Sequence, residues 1–246
     1  MATPQIVRKN RTGIASAKKL AAEMVEATGE FEPTSEGSAR AIAGVRALYV
    51  GDSEPTGSIP LPSTKGLAKS AIQLLKGESP MQLVDKLGER LAFERTGVRL
   101  YETILVKFDA ANDVGGVVER AALESILADE LAHFQLLREA IVKVGGDPTA
   151  LTPSANLHAT LTKGVLAAVA DPRTTFSECL EAATLIELLD NECWDALVEL
   201  VELAGDDTLA EEFRQAAADE VRHLENIRGW VAIAQGRADP ATPRNV

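Results

Sequence analysis

The chain has 246 residues, enough to bury a sizeable interior, and carries 37 acidic against 25 basic side chains for a formal charge of −12. That balance argues against an unaided grip on nucleic acid phosphates or on anionic lipid. Aromatic residues make up only 4%, while Ala, Leu, Glu and Val fill the long periodic stretches and no stretch alternates like a β-strand, so an all-α chain is favoured over sandwiches and barrels.

Met1 to Leu20 carries several Lys and Arg with no apolar h-region after them, and no apolar run approaches membrane-spanning length. The expectation is a cytoplasmic protein without a membrane partner. Ala15 to Thr28 and Ser38 to Tyr49 read as short amphipathic helices. Gly51 to Gly66, with Pro55, Pro60 and Pro62, breaks regular structure, and Lys65 to Leu75 reads as a further short helix. Residues 1–78 contain no metal or catalytic pattern and read as a partly helical N-terminal extension that packs on the core or on a partner subunit.

Ser79-Pro80 has the form of an N-cap followed by a first helical residue. The stripe that follows is Val84, Leu87, Leu91, Glu94, Val98, Tyr101, Leu105 and Phe108. Its one acid, Glu94, is costly at a core position unless paired or bound to metal. Asn112-Asp113 and Gly115-Gly116 should end this helix after Asp109. A second helix, Val117 to Val144, carries Leu123, Leu127, Glu130, Phe134, Leu137, Ile141 and Val144, again with one acid in an apolar row. Glu94 and Glu130 stand about equally far from the turn, so an antiparallel hairpin brings them to one height.

Gly145-Gly146, Pro148 and Pro153 lead into a long crossover with a helical piece from Leu157 to Ala170. His158 lies here without a neighbour at ligand spacing, and is expected at the surface or behind a ligand. Thr175-x-x-Glu178 is a capping box that opens the third long helix, whose stripe runs Leu180, Ala183, Glu187, Asp190, Trp194, Leu197 and Val201. Gly205 and Asp206 break it, and Thr208-x-x-Glu211 reads as the next cap. The fourth helix continues through Phe213, Ala216, Glu220, His223, Ile227 and Trp230 to about Gly236, leaving residues 237–246 as a tail. Cys179 and Cys193 stand too far apart for a knuckle and read as half-buried hydrophobes.

A six-residue word, Ala-Asp-Glu-x-x-His, occurs at Ala128 to His133 and again at Ala218 to His223, using two of the chain's three histidines. On a helix, positions i and i+3 share a face, so Glu130 with His133, and Glu220 with His223, can each chelate one side of a metal centre. The chain is then an internal repeat of two hairpins. Each supplies a Glu on its first helix, Glu-x-x-His on its second, and an aromatic residue seven positions after the first Glu (Tyr101, Trp194).

Over residues 79–236 this pattern resembles the ferritin-like di-iron carboxylate superfamily, which includes ferritins, bacterioferritins and rubrerythrins. Members of that class build their metal site from the same set, a Glu from each of two helices and Glu-x-x-His from each of the other two. The resemblance implies a four-helix bundle of two antiparallel hairpins with a long crossover. It implies metal ligands Glu94, Glu130, His133, Glu187, Glu220 and His223. Glu130 and Glu220 would bridge two ions; Glu94 with His133, and Glu187 with His223, would each complete one. Two iron ions are expected, with manganese as the alternative, since mixed carboxylate and imidazole donors suit either.

The resemblance further implies that Asp129 and Asp219 hold ligand histidines on the facing helix. Tyr101 would act near the centre and Trp194 would be packing, while Asp190 stands where rubrerythrins carry an additional Glu and is one methylene shorter, which leaves its contact with metal open. The implied activity is reduction of O₂ or peroxide with electrons from a separate donor, and a homodimer is a candidate assembly. Iron storage or delivery is one alternative. A helical interaction protein with a vestigial site is another.

Overall fold

A computed structural model describes residues 18–30, 38–54, 57, 59, 80–111 and 118–237. Among them are seven α-helices and no strand. The chain divides into two compact units, residues 1–54 and 55–246. The expected boundary between 78 and 79, the helix Lys65 to Leu75 and the tail from 238 onward lie outside the described residues.

The first unit contributes α1 (Lys18–Glu30) and α2 (Ala39–Asp52), the latter capped by the Ser38 hydroxyl, which accepts from the Ala41 amide at 3.3 Å. The second contains α3 (Pro80–Ala110), α4 (Arg120–Lys143), α5 (Pro153–Ala170), α6 (Phe176–Leu203) and α7 (Asp207–Ala234). No described helix is long and apolar enough to cross a membrane.

Local chemistry sets the helix ends. At the end of α4, Gly145 has φ +87°, its amide donates to the Val142 carbonyl, and the Gly146 amide donates to the Ile141 carbonyl. This Schellman arrangement needs a residue free to enter the left-handed region. Gly205, at φ +73°, closes α6 in the same way. The Thr175–Glu178 capping box forms as expected, with the Glu178 carboxylate accepting from the Thr175 amide at 2.7 Å.

Three expected starts move. α4 begins at Arg120 rather than the expected Val117, with Glu119, extended, as its N-cap. α7 begins at Asp207 because the Asp206 side chain accepts from the Leu209 amide at 3.1 Å, so Thr208 is already inside the first turn. α5 begins at Pro153, four residues before the expected Leu157. Thr152 caps it, and proline fits a first turn whose amides have no helical partner.

α3 packs along α4 and α5, α6 packs along α7, and α3 also contacts α6. Two apolar clusters fill the second unit. One gathers Leu100 and Ile104 of α3, Leu123 and Ile126 of α4, Leu180 and Ala183 of α6, and Ile227 of α7. The other gathers Leu83 and Leu87, Leu137 and Ile141, Leu197 and Val201, and Leu209 and Phe213 of the same four helices. α3 and α7 therefore run from the second cluster towards the first, whereas α4 and α6 run the opposite way. Glu94, Glu130, Glu187 with Asp190, and Glu220 lie between the two clusters on their helices, whereas Glu89 of α3 is buried within the span of the second.

Candidate metal centre

Each helix carries its acids at the middle of its length, one turn from apolar residues on either side, so folding the stripes together stacks the acids into one layer. Glu94, Glu130, Glu187, Asp190, Glu220 and His223 are fully buried and His133 nearly so. All six expected ligands converge. Donor atoms of Glu130, Glu187, Glu220 and His223 lie within 4.8 Å of one another, as do those of Glu94, His133 and Glu220, and those of Glu94, Glu130, Asp190 and Glu220.

Many of these atoms lack a hydrogen-bond partner: Glu94 Oε2, both oxygens of Glu130, Glu187 Oε2, Asp190 Oδ2, Glu220 Oε1 and His133 Nδ1. His133 Nδ1 is only 2.7 Å from Glu220 Oε1, yet the two are not aligned as a hydrogen bond. Buried polar atoms are normally satisfied, and each orphan costs about 1–3 kcal/mol. His223 Nδ1 meets Glu220 Oε2 at 3.1 Å, but the unpartnered lone pairs converge on common points, which fits divalent cations, and oxygen with imidazole nitrogen is the donor set of Fe(II) or Mn(II). The donors present therefore fit two ions, one among Glu130, Glu187, Glu220 and His223 and one among Glu94, His133 and Glu220.

Outer partners hold these groups across the hairpins. His223 Nε2 lies 3.2 Å from Asp129 on α4, and His133 Nε2 lies 3.6 Å from Asp219 on α7, so each imidazole turns its Nδ1 inward. Arg222 spans both acids, donating to Asp129 at 3.0 Å and to Asp219 at 2.7 Å. Tyr101, fully buried on α3, donates to Glu187 on α6. Trp194, at the equivalent place on α6, donates from Nε1 to Glu94 at 3.0 Å, so it is more than the packing residue expected. Asn191 donates to the backbone carbonyls of Glu187 and Glu220 at 2.8 and 3.0 Å and ties α6 to α7 at the level of the acids.

The internal repeat is broken at two places. Arg90, one turn before Glu94, is buried and pairs with both Glu94 and Asp190, whereas the equivalent position before Glu187 is Ala183. Asp190, three residues after Glu187, corresponds to Gly97, where an added Cβ would fall inside the envelope of the Glu130 carboxylate. Arg90 and Asp190 thus cancel as a pair, leaving four glutamates for two dications. Sequence reading missed Arg90, although its place four residues before a buried acid was a usable signal.

Electrostatics without metal are those of a crowded acid site. Burial, then Glu220 and Glu94, pushes the Glu130 carboxyl well above its usual range, and burial with Glu220 raises Glu187 to about 8. Burial opposes charge on both His133 and Glu220, but their mutual contact outweighs it, raising His133 to about 10 and lowering Glu220 to about 2. The Tyr101 phenol is held protonated by burial and by Glu187.

A cavity of about 610 Å³ lies to one side, lined by Leu91, Ala92, Phe134, Arg95 and Arg138 among others. None of the six acids and imidazoles lines it. His158, expected at the surface or behind a ligand, is not at the surface: it is buried, with its ring edge-on to Phe93 at 6.0 Å. Comparison of the chain with known protein families, curated proteins and solved structures finds no match.

Proposed function

We propose that residues 79–236 form a ferritin-like four-helix bundle holding two iron ions, with manganese as the alternative, and that it reduces O₂ or peroxide. The observation that carries this reading is the layer of unpartnered carboxylate and imidazole atoms from four helices, sealed between two apolar clusters. Glu130 and Glu220 each share a donor group with Glu94 and another with Glu187, which supports a bridging role. Glu94 and Glu187 belong to opposite sides, which supports terminal roles.

Bound Fe(II) would supply one electron per ion, so that the pair delivers the two electrons needed to take O₂ to hydrogen peroxide, or peroxide to water, with two protons. The chain does the rest. Asp129 and Asp219 fix the imidazole orientation so that Nδ1 faces the centre. Arg90 neutralises Asp190 and draws on Glu94, which makes the Glu94 side less negative than the Glu187 side. Tyr101 holds a proton at its phenolic oxygen and donates it in a hydrogen bond to Glu187, which fixes that carboxylate. Leu100, Ile104, Leu87 and Phe213 in the flanking clusters exclude water and strengthen each of these interactions.

Aerobic oxidation of the Fe(II)-loaded protein is the test. The native chain should bind two ions and oxidise them faster than a Glu130→Ala variant. Equal rates would overturn the proposal.

A further inference from the structure

Outside the acid layer, a second group of metal-ligating side chains comes together from three helices. Glu89 of α3 and His158 of α5 are buried, and Cys193 of α6 is half-buried; one donor atom from each lies within 4.8 Å of the other two. We propose that Glu89, His158 and Cys193 form a separate mononuclear site for a thiolate-preferring divalent ion of the zinc or cobalt(II) class.

Geometry and chemistry both favour a metal here. Ligands about 2.0–2.3 Å from a tetrahedral ion stand roughly 3.3–3.8 Å apart. His158 Nε2 lies 3.5 Å from Glu89 Oε2 without hydrogen-bond alignment, and one donor atom of each of the three residues stays within 4.8 Å of the other two. The other ring nitrogen, Nδ1, is buried without a partner. Among the described residues Nε2 has only this long contact with Glu89, and an orphaned Nδ1 is unusual for a buried histidine.

Lys86 Nζ sits 2.5 Å from Glu89 Oε2 but leaves the second carboxylate oxygen, and the Lys86 side chain is over a third exposed. A thiolate and a carboxylate together neutralise one dication, and because the Cys193 thiol gives up its proton on binding, occupation raises the local charge beside Lys86 and Arg90 by one rather than two. Three protein ligands leave a fourth position, reached from the partly open Cys193 side. The acid layer contains no sulfur, so a thiolate-seeking ion has reason to prefer this site. The site also borders the acid layer in sequence, since Glu89 precedes Arg90 and Cys193 precedes Trp194, the two residues that bond Glu94.

Cobalt(II) titration of the full chain tests the assignment, because a thiolate-to-cobalt charge-transfer band in the near ultraviolet can arise only from sulfur ligation. The native protein should develop this band, with an amplitude at saturation that corresponds to one cobalt–thiolate centre per chain. Cys193→Ser should abolish it, and His158→Gln should weaken cobalt binding read at the band by more than about tenfold. Cys179→Ser and Glu130→Ala should both retain the band, the latter separating this site from the acid layer. No band in the native protein at saturating cobalt, or a band that survives Cys193→Ser, would overturn the proposal.

Discussion

At the scale of single residues, Gly97 shows how the centre constrains what surrounds it. A glycine inside a helix normally gains about 1 kcal/mol of stability on replacement by alanine. Here the new methyl would meet the Glu130 carboxylate, the end of a side chain confined among other acids. Glu130 would have to swing aside, so the cost falls on metal binding more than on folding. Gly97→Ala is expected to lower divalent metal affinity at the acid layer by more than about tenfold, with a thermal midpoint within a few degrees of the native chain. Calorimetric titration with Mn(II) decides it; unchanged affinity would remove Gly97 from the account. The same residue scale explains what sequence reading left out. Gly97 and Arg90 look ordinary within α3, and their roles depend on Glu130 and Asp190 of other helices.

At the scale of elements, periodicity was the legible signal. The stripe of α6, Leu180 to Val201, is buried at every position expected, and the acids of all four long helices lie in the layer their spacing implied. Caps were legible where both halves of the motif sit within four residues, as in Thr175 and Glu178. They were misread at Thr208 because Asp206, also a good cap, is favoured by the glycine turn immediately before it. Thr175→Ala removes a hydroxyl that accepts from the Glu178 amide at 3.3 Å. It should cost about 1 kcal/mol and lower the thermal midpoint by about 2–4 °C without altering metal stoichiometry. A larger loss, read by circular dichroism, would mean that the start of α6 contributes more than its cap.

At the scale of the whole molecule, the acid layer gives metal-free protein an unusual dependence on pH. Glu187 keeps its proton in the folded chain up to about 8, whereas the unfolded carboxyl releases it near 4.5, so this residue weakens folding as pH rises between those values. His133 is raised from 6.5 to about 10, so its contribution is complete below 6.5 and is lost as pH climbs towards 10. Glu220, lowered to about 2, acts in the opposite sense and loses its contribution as pH falls from 4.5. The chelator-treated chain should therefore be most stable near pH 5 to 6, and its thermal midpoint should fall towards pH 9. Metal ions replace the protons on Glu130, Glu187 and His133, so affinity should rise over the same interval. Thermal scans with EDTA and with Mn(II) would show the gap between them widening with pH. A metal-free midpoint that rises from pH 5.5 to 8.5 contradicts the assignment.

What the amino-acid order determined by itself is everything that repeats within one helix: the stripes, most of the stops, and the Glu-x-x-His words that put an acid and an imidazole on one face. These are local properties, fixed by a rise of 1.5 Å and 100° per residue. Only the tertiary structure decided which side chains meet across helices. Arg90 meets Asp190 a hundred positions away, Trp194 reaches Glu94 at the same separation, and His158 comes to lie beside Glu89 and Cys193. Such meetings depend on the relative height and rotation of packed helices. Burial of the whole apolar surface sets both of those at once, and no short stretch of sequence encodes them.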